Sequence, residues 1–162
     1  MTSDPRTTAW LDQEDAHLAA TIRAHRWAVQ YVWDGDEPAE PPFGYTVGLF
    51  GLGHPELAVV GMSAANTHGV LNEAAEMVAA GRNLVPGELL AWEVWPGLRI
   101  VVEELPNPGD IVLGANRFYE RPAEFSVRAY QLTWAHPGHV FPWEDGESCG
   151  PEVQPRPGMW RA

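Results

Sequence analysis

The segment PPFGYTVGLFGLGHPELAVVGM, Pro41–Met62, constrains the fold more than any other part of the chain. Its apolar runs predict two strands, Phe43–Leu49 and Leu57–Met62, joined by a short loop. At the two-residue period of a strand, bulky side chains fall on one face, while Gly44 and Gly48 fall on the other. A strand glycine costs about 0.5–1 kcal/mol relative to alanine, so the bare face indicates that another group comes close to the backbone there.

The periodicity of the remaining chain predicts three helices and four further strands. The helices are predicted over Asp12–Arg26, over the segment from the N-cap Ser63 to Gly81, and over Asp110–Glu120. The strands are predicted over Trp27–Trp33, Glu88–Trp95, Leu98–Leu105 and Ser126–Trp134. This order predicts an α+β fold with a mostly antiparallel sheet of about six strands, two longer helices and one short helix.

The length of 162 residues predicts a single domain. We expect residues 1–145 to form this α+β domain and residues 146–162, rich in proline and glycine, to form an extended C-terminal tail, with Trp143 and Trp160 as its only candidate anchors. No apolar run reaches the length that spans a bilayer, and the N-terminus lacks an export signal. These features predict a soluble, cytoplasmic protein without membrane contact.

Charge excludes one class of partner. The chain carries 10 basic and 22 acidic residues, which give a formal net charge of −12. A surface of this sign repels the phosphate backbone of DNA and RNA, so nucleic acid is not an expected partner.

The motif GHPE, residues 53–56, is the strongest candidate for proton-transfer chemistry. Pro55 restricts His54 to an extended conformation, and a loop position leaves its imidazole directed rather than packed. With Glu56 orienting the ring, His54 could act as a general base or acid. The alternative is a structural turn, in which His54 is bonded to the backbone and Glu56 is solvated.

A small, partly aromatic ligand would fit against the bare strand face. The chain has eight tryptophans, which suit a ligand cleft and a core equally well. The predicted substrate-binding residues are Gly44, Tyr45, Thr46, Gly48, Trp92, Arg117 and Trp134, with Tyr45 or Arg117 as the polar anchor. His17, His25 and His68 are assigned instead to helix faces and edges, with His68 exposed to solvent.

A metal site is a further alternative. His136 and His139 flank a Pro-Gly turn, and with His54 or Glu56 they could supply the three protein ligands of a catalytic zinc ion. The sequence contains no HExxH, CxxC or repeated Asp-x-Asp spacing. We therefore expect no metal and no other cofactor.

Several motifs in combination resemble a known bacterial family. The segments FGYTVGL, GHPELAVVGM, LNEAAEMVAAG, LGANRFYE and YQLTWAHPGHVFPWEDG are similar to domain of unknown function 4262, over about Trp27–Asp145. The resemblance implies one domain and leaves the activity open. It places His54, Pro55 and Glu56 on the family pattern, whereas the histidines at 136 and 139 depart from it.

Two hypotheses of different classes follow. In the first, the protein binds a small molecule in a tryptophan-lined pocket and transforms it by cofactor-independent acid–base chemistry. In the second, it is a non-catalytic binding or regulatory module that meets a protein partner through its acidic surface and tail. The oligomeric state stays open.

Overall fold

A computed structural model describes residues 4–33 and 40–162 of the protein. These residues contain six strands and three α-helices. The strands are β1 (Ala28–Val32), β2 (Phe43–Val47), β3 (Glu56–Val60), β4 (Leu89–Leu90), β5 (Arg99–Glu104) and β6 (Ala129–Ala135). The helices are α1 (Pro5–His25), α2 (Ala64–Ala79) and α3 (Leu113–Phe118). None of these helices is both long enough and apolar enough to pass through a bilayer.

The strands form one sheet in the order β1-β2-β3-β6-β5-β4. Every neighbouring pair is antiparallel except β3 and β6, which run parallel. The predicted α+β fold, with its mostly antiparallel sheet, two long helices and one short helix, is confirmed. The order also leaves β1 and β4 as the two edge strands.

Helices cover both faces of the sheet. On one face, α2 packs Val70, Leu71 and Ala74 into a core with β3, β5 and β6. On the other face, Leu18 of α1 and Ala115 of α3 pack against β2 and β3. The sheet is therefore the middle layer, and β1 runs along its edge between α1 and α2.

Some helix and strand boundaries differ from those predicted from the apolar pattern, because helix caps, a glycine with positive φ and turns decide where these elements begin and end. Helix α1 begins at Pro5 rather than Asp12, because the Asp4 side chain accepts a hydrogen bond from the Arg6 N–H at 3.0 Å and caps the helix earlier. The strand predicted to Leu49 ends at Val47, because Gly48 has φ 131° and starts a 3₁₀ helix. Strand β4 has only two residues of the predicted eight, and turns follow it.

The segment predicted as a tail packs on the sheet. Trp160 is buried edge-on against Phe43 with ring centroids 5.0 Å apart, and its Nε1–H donates to Gln131 Oε1 at 2.9 Å. Gln154 is also buried, and its amide bonds both backbone groups of Trp134, at 2.8 and 2.9 Å. Gln154 thus hydrogen-bonds to β6 beyond the end of its ladder with β3. Residues beyond 145 therefore contribute to the core.

Candidate functional site

The bare strand face receives protein rather than an open pocket. A Cβ at Gly44 would overlap Thr67 Cγ2 of α2, and a Cβ at Gly48 would overlap the Arg26 carbonyl oxygen. The groups that come close are therefore helix α2 and the backbone between α1 and β1. The pocket predicted over these glycines is filled, so close packing explains why the strand carries no side chains there.

Glu56 is a buried cap for the 3₁₀ helix Leu49–Leu52. Its Oε1 accepts from Thr46 Oγ1 at 2.8 Å and from the Leu49 N–H at 3.0 Å. Its Oε2 accepts from the N–H groups of Gly48 at 3.0 Å and Phe50 at 3.1 Å. Burial raises the pKa of Glu56, and these four hydrogen bonds oppose the rise. The carboxylate is neither solvated nor available to orient a neighbouring ring.

His54 is buried and bonded to the backbone through both ring nitrogens. Only 4% of the His54 surface is exposed to solvent. Nδ1–H donates to the Pro55 carbonyl at 2.7 Å, while Nε2 accepts from the Leu84 N–H at 3.0 Å. Burial lowers the pKa of His54. The predicted pairing of His54 with Glu56 is not formed, and the alternative in which the turn satisfies His54 agrees with this geometry.

The other residues predicted to bind substrate are dispersed. The Tyr45 hydroxyl is buried and accepts from the Gly114 N–H at 2.8 Å, and burial raises the pKa of Tyr45. Arg117 forms an ion pair with Asp15 at 2.9 Å that joins α3 to α1. Each of the two therefore ties helices to the sheet or to one another.

The two predicted tryptophans pack against the core on the α2 face. Trp134 is buried and donates from Nε1 to the Val60 carbonyl at 2.9 Å. Trp92 is half-buried, and its Nε1–H points to Met77 Sδ at 3.4 Å. Of these two residues, Trp134 belongs to the core, and Trp92 borders an opening, a cleft of about 440 Å³ beside α2 and β4.

The predicted zinc ligands do not come together. The rings of His136 and His139 lie 5.5 Å apart, but both nitrogens of His54 are already bonded to the backbone. Across residues 4–33 and 40–162, no three His, Cys, Asp or Glu side chains are grouped so that they could hold a metal ion.

A different opening lies at the sheet edge, and we name it the β1 cleft. Its volume is about 590 Å³, larger than the cleft beside Trp92. Helix α1 forms one wall, α2 forms the other, and β1 forms the floor. The lining residues are Glu14, His17, Leu18, Thr21, His25, Trp27, Ala28, Val29, Gln30, His68, Asn72 and Glu76.

The floor of the β1 cleft is an open strand edge. In the described part of the chain, β1 pairs only with β2, from Ala28 opposite Val47 to Val32 opposite Phe43. Alternate residues of an antiparallel strand point their N–H and C=O groups away from the partner strand. The cleft therefore presents backbone donors and acceptors between its two helical walls.

The walls of the β1 cleft combine carboxylates and imidazoles. Glu14 on α1 and Glu76 on α2 make no side-chain hydrogen bond or ion pair to any residue the structure describes. His68 donates from Nδ1 to the Ala64 carbonyl at 2.8 Å, which fixes its ring on α2. Trp27 donates from Nε1 to Asn72 Oδ1 at 3.0 Å and is held against the same helix.

Sequence reasoning placed the histidines of this cleft on separate helix faces and edges. In the sequence, the helix with His17 and His25 directly precedes the strand Trp27–Trp33, and the helix with His68 follows after two further strands. This order was the available signal that both helices could lie beside that strand. What makes them one site is that β1 lies at the sheet edge, and strand order in a sheet depends on contacts distant in sequence.

Comparison with known proteins gives one match. No curated protein and no solved structure matches the chain. Residues 21–148 match a family described as Domain of unknown function (DUF4262). This match includes every strand, α2, α3 and most of the β1 cleft. It omits residues 5–20 of α1, which contribute Glu14, His17 and Leu18 to the cleft. Because the match covers most of the chain, the protein belongs to the DUF4262 family.

Proposed function

We propose that the protein is a non-catalytic binding module and that the β1 cleft is its binding site. The observation that carries the proposal is the open edge of β1 on the floor of a cleft whose helical walls carry the carboxylates of Glu14 and Glu76, neither of which is paired with a residue that the structure describes. Hydrogen-bonding groups from three elements converge there. Such convergence in a concave site is what fixes the orientation of a ligand.

The size of the cleft supports a ligand of substantial length. A volume of about 590 Å³ lies in the range of about 300–1,000 Å³ typical of ligand sites. The floor residues Ala28 and Val29 are apolar, and Trp27 adds a ring that its bond to Asn72 already holds in place. A preset ring lowers the ordering cost of binding.

The bonding of His54 and Glu56 favours binding over acid–base catalysis. A general base needs a ring nitrogen or a carboxylate oxygen within reach of the substrate. Both His54 nitrogens are committed to backbone partners, and Glu56 accepts four hydrogen bonds inside the fold. These contacts give the two residues a structural role.

The proposal is tested by screening a library of small fragments against the isotope-labelled full chain by two-dimensional NMR. Thr21 lines the cleft, and Thr21→Phe places a ring in it, whereas Ala20→Phe places the same ring on an exposed position of α1 that does not line the cleft. We expect fragments to shift resonances of β1, and Thr21→Phe alone to abolish those shifts. Hits that cluster elsewhere, or that survive Thr21→Phe, would overturn the assignment.

A further inference from the structure

We propose that the ligand of the β1 cleft is an extended basic peptide, which pairs with the outer edge of β1 as a seventh strand. The inference rests on the proposed function, and it adds the chemical class of the partner. Strand addition to an open edge gains affinity from backbone hydrogen bonds and specificity from alternate side chains.

The geometry of the edge fits one strand. Strand β1 has five residues, and its pairing with β2 is continuous from Ala28 to Val32. Helices α1 and α2 flank it on opposite faces of the sheet, so a strand laid along β1 would lie between them. Alternate side chains of that strand would face α1 and α2 in turn.

The charge of the walls selects a basic strand. Glu14 faces the cleft from α1 and Glu76 from α2, so side chains on either face of the added strand would meet a carboxylate. No arginine lines the cleft, and the chain contains no lysine at all. The net charge of −12 extends the same preference to long range, because it draws basic partners toward the surface.

The same charges disfavour a second copy of this chain as the occupant. Two β1 edges brought together would also bring together two pairs of Glu14 and Glu76 and two surfaces of net charge −12. Like charges in such proximity oppose association. A basic partner neutralises these groups, whereas a second copy doubles them.

The test uses a five-residue probe peptide of alternating lysine and valine with blocked ends, titrated into the full chain. A version N-methylated at every residue keeps the charges and removes the N–H donors from both edges of the peptide. Whichever edge faces β1, this version brings no N–H donor to it. We therefore expect the methylated peptide to lose at least about tenfold in affinity relative to the parent.

A charge control uses matched pairs of carboxylates. Glu14→Gln with Glu76→Gln is expected to weaken the parent peptide by about 2–30-fold at low salt. Glu124→Gln with Glu147→Gln changes two exposed carboxylates outside the cleft by the same total charge. This second pair should leave the affinity close to that of the unmodified chain, and a glutamate–valine peptide should not bind.

Carbodiimide crosslinking locates the peptide. Because the chain has no lysine, a new amide between a carboxylate and a lysine must carry the lysine of the probe. We expect crosslinks at Glu14 or Glu76.

The outcomes separate the inference from the proposed function. Binding of the methylated peptide as tight as that of the parent would overturn strand pairing, as would a β1-mediated dimer of the chain. Absence of peptide binding, with fragments still held in the cleft, would overturn the inference and leave the proposed function standing. Absence of both would overturn both.

Discussion

At residue scale, the motif GHPEL concentrates two ionisable side chains that the fold uses internally. Residue types and spacing singled out His54 and Glu56 but predicted a His54 ring that is directed rather than packed, whereas both side chains are buried and bonded inside the fold. Sequence could not tell whether the partners would be substrate or backbone, because the N–H groups that bind Glu56 exist only once Gly48 has turned the chain into a 3₁₀ helix. The same residue pattern therefore suits a catalytic pair and an internal cap.

Removing the charge of Glu56 should destabilise the fold. In Glu56→Gln the new amide N–H₂ replaces one oxygen and opposes backbone N–H groups such as that of Gly48. Buried donors left without an acceptor cost about 1–3 kcal/mol each, so we expect a loss of at least about 2 kcal/mol in the free energy of unfolding. Urea denaturation measures it, with Glu76→Gln as the control that removes an exposed carboxylate. A loss no larger than that of the control would show that the cap contributes nothing.

His54 should make stability depend on pH in a known direction. Its folded pKa is lowered from the ordinary value of 6.5, so protons bind the unfolded chain first as the pH falls. The stabilisation due to neutral His54 is complete above pH 6.5 and is lost as the pH falls from there through the lowered folded pKa.

His54→Asn, which cannot titrate, isolates this effect. We expect the difference in unfolding free energy between wild type and variant to be largest near pH 8 and to shrink by about pH 5. Urea denaturation across that range gives the difference directly. A difference that is constant with pH, or that grows on acidification, would contradict the bonding assigned to the ring.

At element scale, hydrophobic period predicted most of the sheet and the long helix α2. Ser63 caps α2 as predicted, accepting from the Asn66 N–H at 3.2 Å. Period could not predict that only Leu89–Leu90 would pair as β4, since turns at Trp92–Trp95 and Trp95–Leu98 remove the next residues from the ladder. Nor could it place β1 at the edge, and so the β1 cleft was not predicted.

Because α2 approaches β2 closely, substitutions at Gly44 and Thr67 should have non-additive effects on the free energy of unfolding. Gly44→Ala overfills a packed contact and should cost about 1–3 kcal/mol. Thr67→Ser removes the opposing Cγ2 and retains the hydroxyl that donates to the Met62 carbonyl. The double variant should therefore lose less unfolding free energy than the two single variants lose together, by about 0.5 kcal/mol or more. Strict additivity in thermal or urea unfolding would mean that the glycine is not there to admit the helix.

At the scale of the whole molecule, sheet and C-terminal segment form one packed unit. The abundance of proline and glycine indicated irregular backbone after residue 145, and Trp160 was a candidate anchor, but the sequence did not indicate that Gln154 would be buried against β6. Those contacts depend on a gap beside β6 where β3 ends, which only the assembled sheet creates.

The packing of the C-terminal segment should contribute measurably to the free energy of unfolding. Gln154→Ala leaves the Trp134 N–H and C=O without partners, at a cost of about 1–3 kcal/mol for each buried group. Met159→Ala changes a side chain in the same segment that is 77% exposed, and should be nearly neutral. Thermal unfolding of the two variants compares them, and equal melting temperatures would place the segment outside the cooperative fold.

The most direct test of the β1 cleft as the binding site is site-resolved amide hydrogen exchange of the full chain, with and without a saturating amount of the lysine–valine peptide. The sheet has a second edge at Leu89–Leu90 that serves as an internal control. Pairing of the peptide with β1 predicts slower exchange at alternate amides of Ala28–Val32, where free N–H groups gain carbonyl partners, and unchanged exchange at Leu89 and Leu90. Protection at β4, or unchanged exchange along β1 in the saturated complex, would contradict it.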